Sequence, residues 1–486
     1  MIYQALLSLV SSAIILGSAP AQALDNGLAL TPQRGWNTWN KYGCNINASI
    51  ILANGKALID EGLHKAGYEY VVVDDCWQGP RDPSTGRITV DSTKFPHGLK
   101  NLTDEIHAMG LKAGIYSSAG SMTCGRHVGS LDHEEIDAQT FADWGFDYLK
   151  YDNCFNEGRS GTPKISYDRY NAMTMALNKT GRPILFSLCQ WGEDSSYLWA
   201  PTIANSWRIS GDIYDNFDRA DARCPCDDMT TQTCYLQGFH CSVKKIVNFA
   251  KSLGQKAFPS AWLDLDMLEV GNGGMSTTEY VTHFSMWAMM RSAMILGNEL
   301  FSMDNATRAI VKNTHVLDLI SGDANGSPAY PVWEETTSTN GTEMQLWFSS
   351  LVNGTYAAAL VNWGSQDASG QSIDLSTFFV DDAPARKASW DVYDLWAGVD
   401  FKQGTVPAKL SKLSGSPFTG SIGNLDVPSH GIKLLRLVPA GTDGKGMSEQ
   451  EHKRRALQEA EHVQLERAMQ WQEDRVNARR MASRGL

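Results

Sequence analysis

Positive charge is scarce at the start of this chain and outnumbered along the whole of it. No Lys or Arg precedes Arg34, and 42 Lys and Arg face 54 Asp and Glu, for a formal net charge of -12. That balance repels a phosphate backbone or an anionic membrane surface, so neither nucleic acid nor membrane is an expected partner. Long hydrophobic runs are missing as well: no segment after residue 23 reaches the roughly 20 consecutive apolar residues of a membrane helix. No G-x-G-x-x-G turn follows the first strand candidate, which argues against a doubly wound dinucleotide fold. Metal signatures are thin. His133-Glu134-Glu135 lacks the second His of a zincin motif and reads as a helix start, and Asp264-Leu265-Asp266 has no further clustered ligand, so no metal and no cofactor is expected. Disorder is excluded by 15 Trp, 16 Tyr and 16 Phe with only 20% charged residues. The surplus of Trp and Asp suits a neutral polyhydroxylated ligand, whose C–H faces meet rings and whose hydroxyls meet carboxylates.

At 486 residues the chain is too long for one core. Its first stretch, residues 5–16, is an apolar run of signal-peptide length followed by Ala21-Gln22-Ala23, a small-x-small cleavage pattern, so cleavage after Ala23 and a secreted product are expected. N-x-[ST] sequons at Asn47, Asn101, Asn178, Asn305, Asn325, Asn340 and Asn353 agree with passage through a glycosylating compartment. Nine cysteines in an oxidising compartment leave one over, expected to be Cys189. The expected bridges are Cys44–Cys76 and Cys124–Cys154, with a nested pair, Cys224–Cys241 and Cys226–Cys234, in the later cluster. A zinc site built there with His240 is the alternative, and secretion favours disulfides.

Between about residues 34 and 322, short apolar runs alternate with helical stretches, the pattern of parallel βα units. The strand candidates are 34–39, 68–74, 111–117, 146–152, 183–188, 207–210, 256–264 and 294–300, and eight such units fit a closed (β/α)8 TIM barrel. After residue 327 the pattern becomes short strands between Gly, Asp, Ser and Pro clusters, with candidates at 344–350, 355–362, 388–395 and 431–438. That reads as a C-terminal antiparallel β-sandwich. The expected division is a leader at 1–23, the barrel at 24–326, the sandwich at 327–440 and a charged tail at 441–486, disordered or helical.

A (β/α)8 barrel carries its reactive groups at the carboxyl ends of its strands. Four of these runs end in carboxylates: Asp74-Asp75, Asp152, Asp212, and Asp264 with Asp266. One such residue is most often a helix N-cap; four converging on one rim point to chemistry. Period two puts Lys150 and Asp152 on one face, and an ammonium there is expected to lower the carboxyl's pKa and keep it an anionic nucleophile. Asp212, facing that negative charge, is expected to start protonated. Two carboxyls poised so differently are what acetal hydrolysis needs, one donating a proton to the leaving oxygen and one an electron pair to the anomeric carbon. Cys189 as nucleophile is the weaker reading, with no His nearby in sequence, and the methionines at 286, 289, 290 and 294 read as core.

The segments Arg34-Gly35-Trp36-Asn37-Thr38-Trp39, Asp74-Asp75-Cys76-Trp77, Gly114-Ile115-Tyr116-Ser117, Asp147 through Cys154, and Asp264-Leu265-Asp266-Met267-Leu268 resemble, in order, glycoside hydrolase family 27, the α-galactosidases or melibiases. The secreted fungal-type members, with a similar four-cysteine insertion, resemble it most. The resemblance implies retaining, exo-acting release of terminal α-D-galactose from melibiose, raffinose-type oligosaccharides and galactomannan or galactolipid-type conjugates. It implies Asp152 as nucleophile and Asp212 as acid/base. It further implies that Asp74 and Asp75 bind the 4- and 6-hydroxyls, that Trp36, Tyr116, Lys150, Arg208, Asp266 and Met267 line the pocket, and that Cys189 and Trp191 surround the 2-hydroxyl. Trp191 leaves little room for an N-acetyl group, and Asp75 favours a hexose over a pentopyranose. The alternatives are the same chemistry on α-N-acetylgalactosamine or β-L-arabinopyranose, and a non-catalytic galactose-binding lectin. Gln190, where many relatives carry Glu, and the tail beyond Gly441 depart from the family pattern. Oligomeric state is left open.

Overall fold

The computed structural model describes residues 24, 26–225, 239–321, 326–335, 340–380 and 382–441. The leader, Cys226 and Cys234, the Asn325 sequon and all but the first residue of the tail lie outside the described residues. Eight parallel strands form the first sheet: β1 Arg34–Asn37, β2 Tyr70–Val73, β3 Lys112–Ser118, β4 Tyr148–Asp152, β5 Leu185–Cys189, β6 Ser206–Arg208, β7 Trp262–Asp264 and β8 Met294–Leu296. From β1 to β7 each strand pairs with the next in sequence, and β1 pairs with β8. The ring closes just beyond β7, where Leu268 bridges Leu296 and its N–H reaches the Ile295 carbonyl at 2.8 Å. This is the (β/α)8 barrel.

Strands buried on both faces read as continuous apolar runs, which is why Tyr-Val-Val-Val of β2 and Leu-Phe-Ser-Leu-Cys of β5 are buried throughout. Close approach sets one composition rule: a Cβ on Gly35 would lie 2.3 Å from the Tyr70 carbonyl oxygen, so only glycine fits between β1 and β2. The helices start where capping residues stand. Asn47 accepts from Ile50 N, Thr162 precedes a Pro at the first turn of the helix Pro163–Lys179, and Ser276 with Glu279 forms a capping box on the helix Thr277–Met289.

The second domain adds β9 Tyr330–Glu334, β10 Met344–Ser350, β11 Tyr356–Asn362, β12 Ala368–Asp374, β13 Trp390–Asp394, β14 Ser421–Val427 and β15 Ile432–Pro439. One antiparallel sheet runs β9-β10-β11-β15-β13, and β12 pairs with β14 in another. Alternation divides the larger sheet. Trp347, Ala357, Ala359 and Leu434 join the barrel core, whereas Leu346, Phe348, Ala358 and Leu435 pack in the cluster holding Ile373, Ile422 and Leu425 of the smaller sheet. The seam is also pinned by polar contacts, Trp396 Nε1 to Ser285 Oγ at 2.8 Å and His430 Nδ1 with Glu279 Oε1 at 2.7 Å.

Candidate active site

The carboxyl ends of the barrel strands gather Asp74, Asp75, Asp152, Asp212, Asp264 and Asp266 around two cations, the largely buried Lys150 and the fully buried Arg208. Lys150, on β4, places Nζ 2.7 Å from Asp74 Oδ2, which also accepts from Asn37 Nδ2 at 2.7 Å. Asp75 Oδ2 accepts the Gly125 N–H at 2.6 Å. A Cβ on Gly125 would stand 2.9 Å from that oxygen, so glycine is required for this contact. Arg208, on β6, reaches Asp266 Oδ2 at 2.8 Å, Asp212 Oδ1 at 3.1 Å and the Cys189 sulfur at 3.5 Å. Met267 N and Ile213 N hold the two oxygens of Asp266, each at 2.8 Å.

Asp152 ends β4 with both oxygens fixed: Tyr116 OH donates to Oδ2 at 2.7 Å and Asn153 N to Oδ1 at 2.8 Å. The Cys124 sulfur, bridged to Cys154, lies 3.2 Å from Oδ2. Behind it the Asn153 side chain accepts from Arg169 at 2.5 Å and donates to Glu193 at 2.8 Å. The nucleophile candidate is thus tied to the loop after β5, which carries Trp191. Backbone strain sits at these strand ends: Cys76, Trp191 and Asp266 all hold left-handed φ, at 76, 66 and 78°.

Lys150, Cys189, Arg208, Asp266 and Met267 line one cavity together with Asn37, Tyr148 and Ser187. Trp36 is fully buried at the end of β1, its indole N–H on the Asn298 carbonyl at 2.7 Å. Cys44–Cys76, Cys124–Cys154 and Cys224–Cys241 are bridged, and Cys189 is a buried free thiol. Burial and the nearby Asp152 push that thiol's pKa well up, against Arg208 and Lys150, so it stands as a neutral acceptor for Arg208. Gln190 is fully buried, and neither amide atom has a hydrogen-bond partner among the described residues.

One expectation is corrected. Lys150 does not hold Asp152 below the usual carboxylate range: burial, the largest influence, pushes it up to about 6, with Lys150 opposing and Asp212 adding to the rise. Lys150 is already committed to Asp74, and two cations among six carboxyls leave the rim short of positive charge. Asp75, Asp264 and Asp266 are raised by burial for the same reason. Lys150 and Arg208 are in turn held charged, their surrounding carboxylates outweighing burial.

Sequence reasoning missed Asn37, Gly125, Asn153, Arg169 and Glu193 as supports of the site. Asn37 and Asn153 stand inside motifs already singled out, each beside a strand end. Arg169 and Glu193 carry no local signal, since they meet Asn153 across 16 and 40 residues.

Residues 31–322 match the family model described as alpha galactosidase A, and residues 341–437 that of the alpha galactosidase C-terminal beta sandwich domain. The chain is 52% identical over 373 residues to alpha-galactosidase mel1 of Schizosaccharomyces pombe, covering 76% of this chain and 84% of that protein. Of solved structures, alpha-galactosidase I from Mortierella vinacea is 48% identical with a TM-score of 0.78, covering 86% of this chain and 99% of that one. The Saccharomyces cerevisiae alpha-galactosidase with raffinose is 40% identical with a TM-score of 0.79, covering 85% and 99%.

Proposed function

Because the chain belongs to the α-galactosidase or melibiase family, glycoside hydrolase family 27, we propose that Asp152 and Asp212 are the two carboxyls through which it cleaves its substrate. The protein is a glycosidase that releases terminal α-D-galactose from melibiose and raffinose-type galactosides. In the proposed reaction Asp152 attacks the anomeric carbon as Asp212 gives its proton to the leaving oxygen. The C–O bond to the leaving sugar breaks and a β-galactosyl ester of Asp152 forms. Esterification removes the charge on Asp152, and with it the repulsion between the pair. Asp212, now anionic, takes a proton from water, whose oxygen displaces the ester and gives α-galactose.

The observation that carries this reading is the anchoring of Asp152. With Tyr116 OH on one oxygen and Asn153 N on the other, its carboxyl is fixed in orientation, and Arg208, which lines the cavity, holds Asp212 at 3.1 Å. Asp74 and Lys150 on one side, and Arg208, Asp266 and Cys189 on the other, supply acceptors and donors for the hydroxyls of one sugar; Trp36, Tyr116, Asp75, Trp191 and Met267 complete the proposed pocket. Proton NMR of the first-formed product tests the mechanism: α-galactose should appear first and mutarotate later, and β-galactose appearing first would overturn double displacement.

We also propose that the protein is secreted and glycosylated. Asn101, Asn178, Asn305 and Asn340 are exposed, and among the described residues three disulfides are formed and no helix is long and apolar enough to cross a membrane. Protein collected from the medium should begin after Ala23 and lose mass on treatment with an endoglycosidase. Retention in the cell at full length would contradict this.

A further inference from the structure

A nucleophile attacks well only when its carboxyl keeps one orientation, and one of the two donors that hold Asp152 is a backbone group, the Asn153 N–H on Oδ1 at 2.8 Å. A peptide N–H points where its residue's conformation sends it, so whatever fixes the Asn153 side chain also steadies that donor. Asn153 is fully buried, and its amide lies between a cation and a carboxylate: Oδ1 accepts from Arg169 Nη2 at 2.5 Å and Nδ2 donates to Glu193 Oε2 at 2.8 Å. Turning the amide over would set its N–H groups against the guanidinium and its oxygen against the carboxylate, so both partners enforce the same orientation.

The two partners are themselves held. Arg169 also donates from Nε to the Arg159 carbonyl and from Nη1 to that of Ala119, each at 2.8 Å, and its guanidinium lies 4.7 Å from the Tyr170 ring centroid. Glu193 stands in the loop after β5 among Trp191, Asp194 and Ser195, which hold left-handed φ of 66, 49 and 52°. Gly192, at φ 82°, can only be glycine, because a Cβ there would lie 2.4 Å from the Ile209 carbonyl oxygen. Asp194 anchors the loop further on, accepting from Gly161 N at 2.9 Å and Ser166 Oγ at 2.6 Å. Non-glycine residues persist in such conformations only where their surroundings over-determine them, and this loop delivers one carboxyl oxygen to the residue behind the nucleophile. Glu193 is not among the residues lining the cavity assigned to galactose, and the hydrolysis described above gives it no part.

We propose that Glu193 is a positioning residue for the reaction: through the Asn153 amide, braced from the other side by Arg169, it keeps the Asn153 N–H on Asp152 Oδ1 and so fixes the direction from which the nucleophile attacks. The contact needs an acceptor oxygen at that place and not a charge. Burial pushes Glu193 up to about 7, with the Asn153 bond and Arg169 opposing and Asp194 adding to the rise. Below that pH a neutral carboxyl occupies the position, and its carbonyl oxygen still accepts. This assignment rests on the reading of Asp152 as nucleophile.

In the full-length protein, the acid limb of kcat/KM for an aryl α-galactoside reads the ionisation of Asp152. Burial and Asp212 raise that carboxyl, while Lys150, the Tyr116 hydroxyl and the Asn153 N–H lower it, so loosening the last should move the limb to higher pH. Glu193→Ala is expected to lower kcat about ten- to a hundredfold, the scale of a slightly misplaced reacting group, with KM within about threefold. Its acid limb should rise by about half a pH unit or more. Glu193→Gln, which keeps an oxygen for Asn153, should stay within about threefold of the parent kcat with the limb in place. Glu193→Asp keeps the charge but withdraws the acceptor by one methylene, and should move kcat and the limb in the direction of Glu193→Ala. It carries the test if the denaturant midpoint shows that Glu193→Ala fails to fold. A folded Glu193→Ala, or in its place Glu193→Asp, with an unmoved limb or a loss confined to KM would overturn the positioning role alone. A Glu193→Gln as impaired as Glu193→Ala would do the same. Turnover by Asp152→Asn would instead overturn the nucleophile reading, and this assignment with it.

Discussion

Asp152→Asn is expected to lower kcat by at least about four orders of magnitude, the scale of losing a covalent nucleophile, and to make the fold more stable above pH 6. The two effects share a cause. Burial raises the Asp152 carboxyl to about 6, so the folded state binds the proton more tightly than the unfolded chain does. Relative to a neutral side chain, stability is then fully present below the unfolded value of 3.8 and is lost as pH rises through about 6. Holding the ionised carboxylate in the fold costs about 3 kcal/mol at neutral pH, from 1.36 kcal/mol for each tenfold in the proton equilibrium. Asparagine removes that cost while keeping the shape: its oxygen can accept from Asn153 N, and the Tyr116 hydroxyl can turn to accept from its amide. Lys150 retains Asp74 at 2.7 Å. Denaturant midpoints of parent and variant should therefore differ at pH 7.5, with the variant higher, and converge near pH 4. A variant that is inactive but no more stable at pH 7.5 would show that Asp152 is not ionised against the environment of the fold. A variant that keeps a tenth of the parent kcat would remove it from the role of nucleophile.

The barrel was legible because parallel strands, buried on both faces, must be apolar along their length, and all eight candidate runs overlap the strands observed. The sandwich was legible only in part. β12, Ala-Ser-Gly-Gln-Ser-Ile-Asp, buries just Ala368 and Ile373, and β14 buries only Ile422, Leu425 and Val427; such half-exposed strands leave little periodic signal. β9 was missed too, with Tyr330 and Trp333 exposed along an edge strand. At the site, strand-end carboxylates could be found from local pattern. The sign of the Asp152 shift could not: period two shows that Lys150 shares its face, but the commitment of Lys150 to Asp74, 76 residues away, and the depth of burial belong to the folded chain.

Asp212→Ala should separate substrates by how much help their leaving groups need. A sugar leaving group departs as a strongly basic alkoxide unless it is protonated, so loss of the acid should cost kcat/KM on melibiose about a thousandfold, within the usual range for general acid catalysis. A nitrophenyl leaving group is stable as an anion and needs no proton, so an aryl α-galactoside should lose far less in forming the ester. The second half of the cycle then becomes the slow step, because the ester is left without a base to activate water, and a burst of nitrophenol should precede slow turnover. Azide, already an anion, should speed that turnover by displacing the Asp152 carboxylate from the anomeric carbon, giving α-galactosyl azide. The fold should scarcely notice the change. The Asp212 side chain is 46% exposed, and Arg208 keeps Asp266 at 2.8 Å, so no buried charge is left unpaired. Equal losses on melibiose and on the aryl galactoside, with no rescue by azide, would count against Asp212 as the acid. A β-galactosyl azide product would place the displacement on the wrong face of the sugar and overturn the assignment of both carboxyls at once.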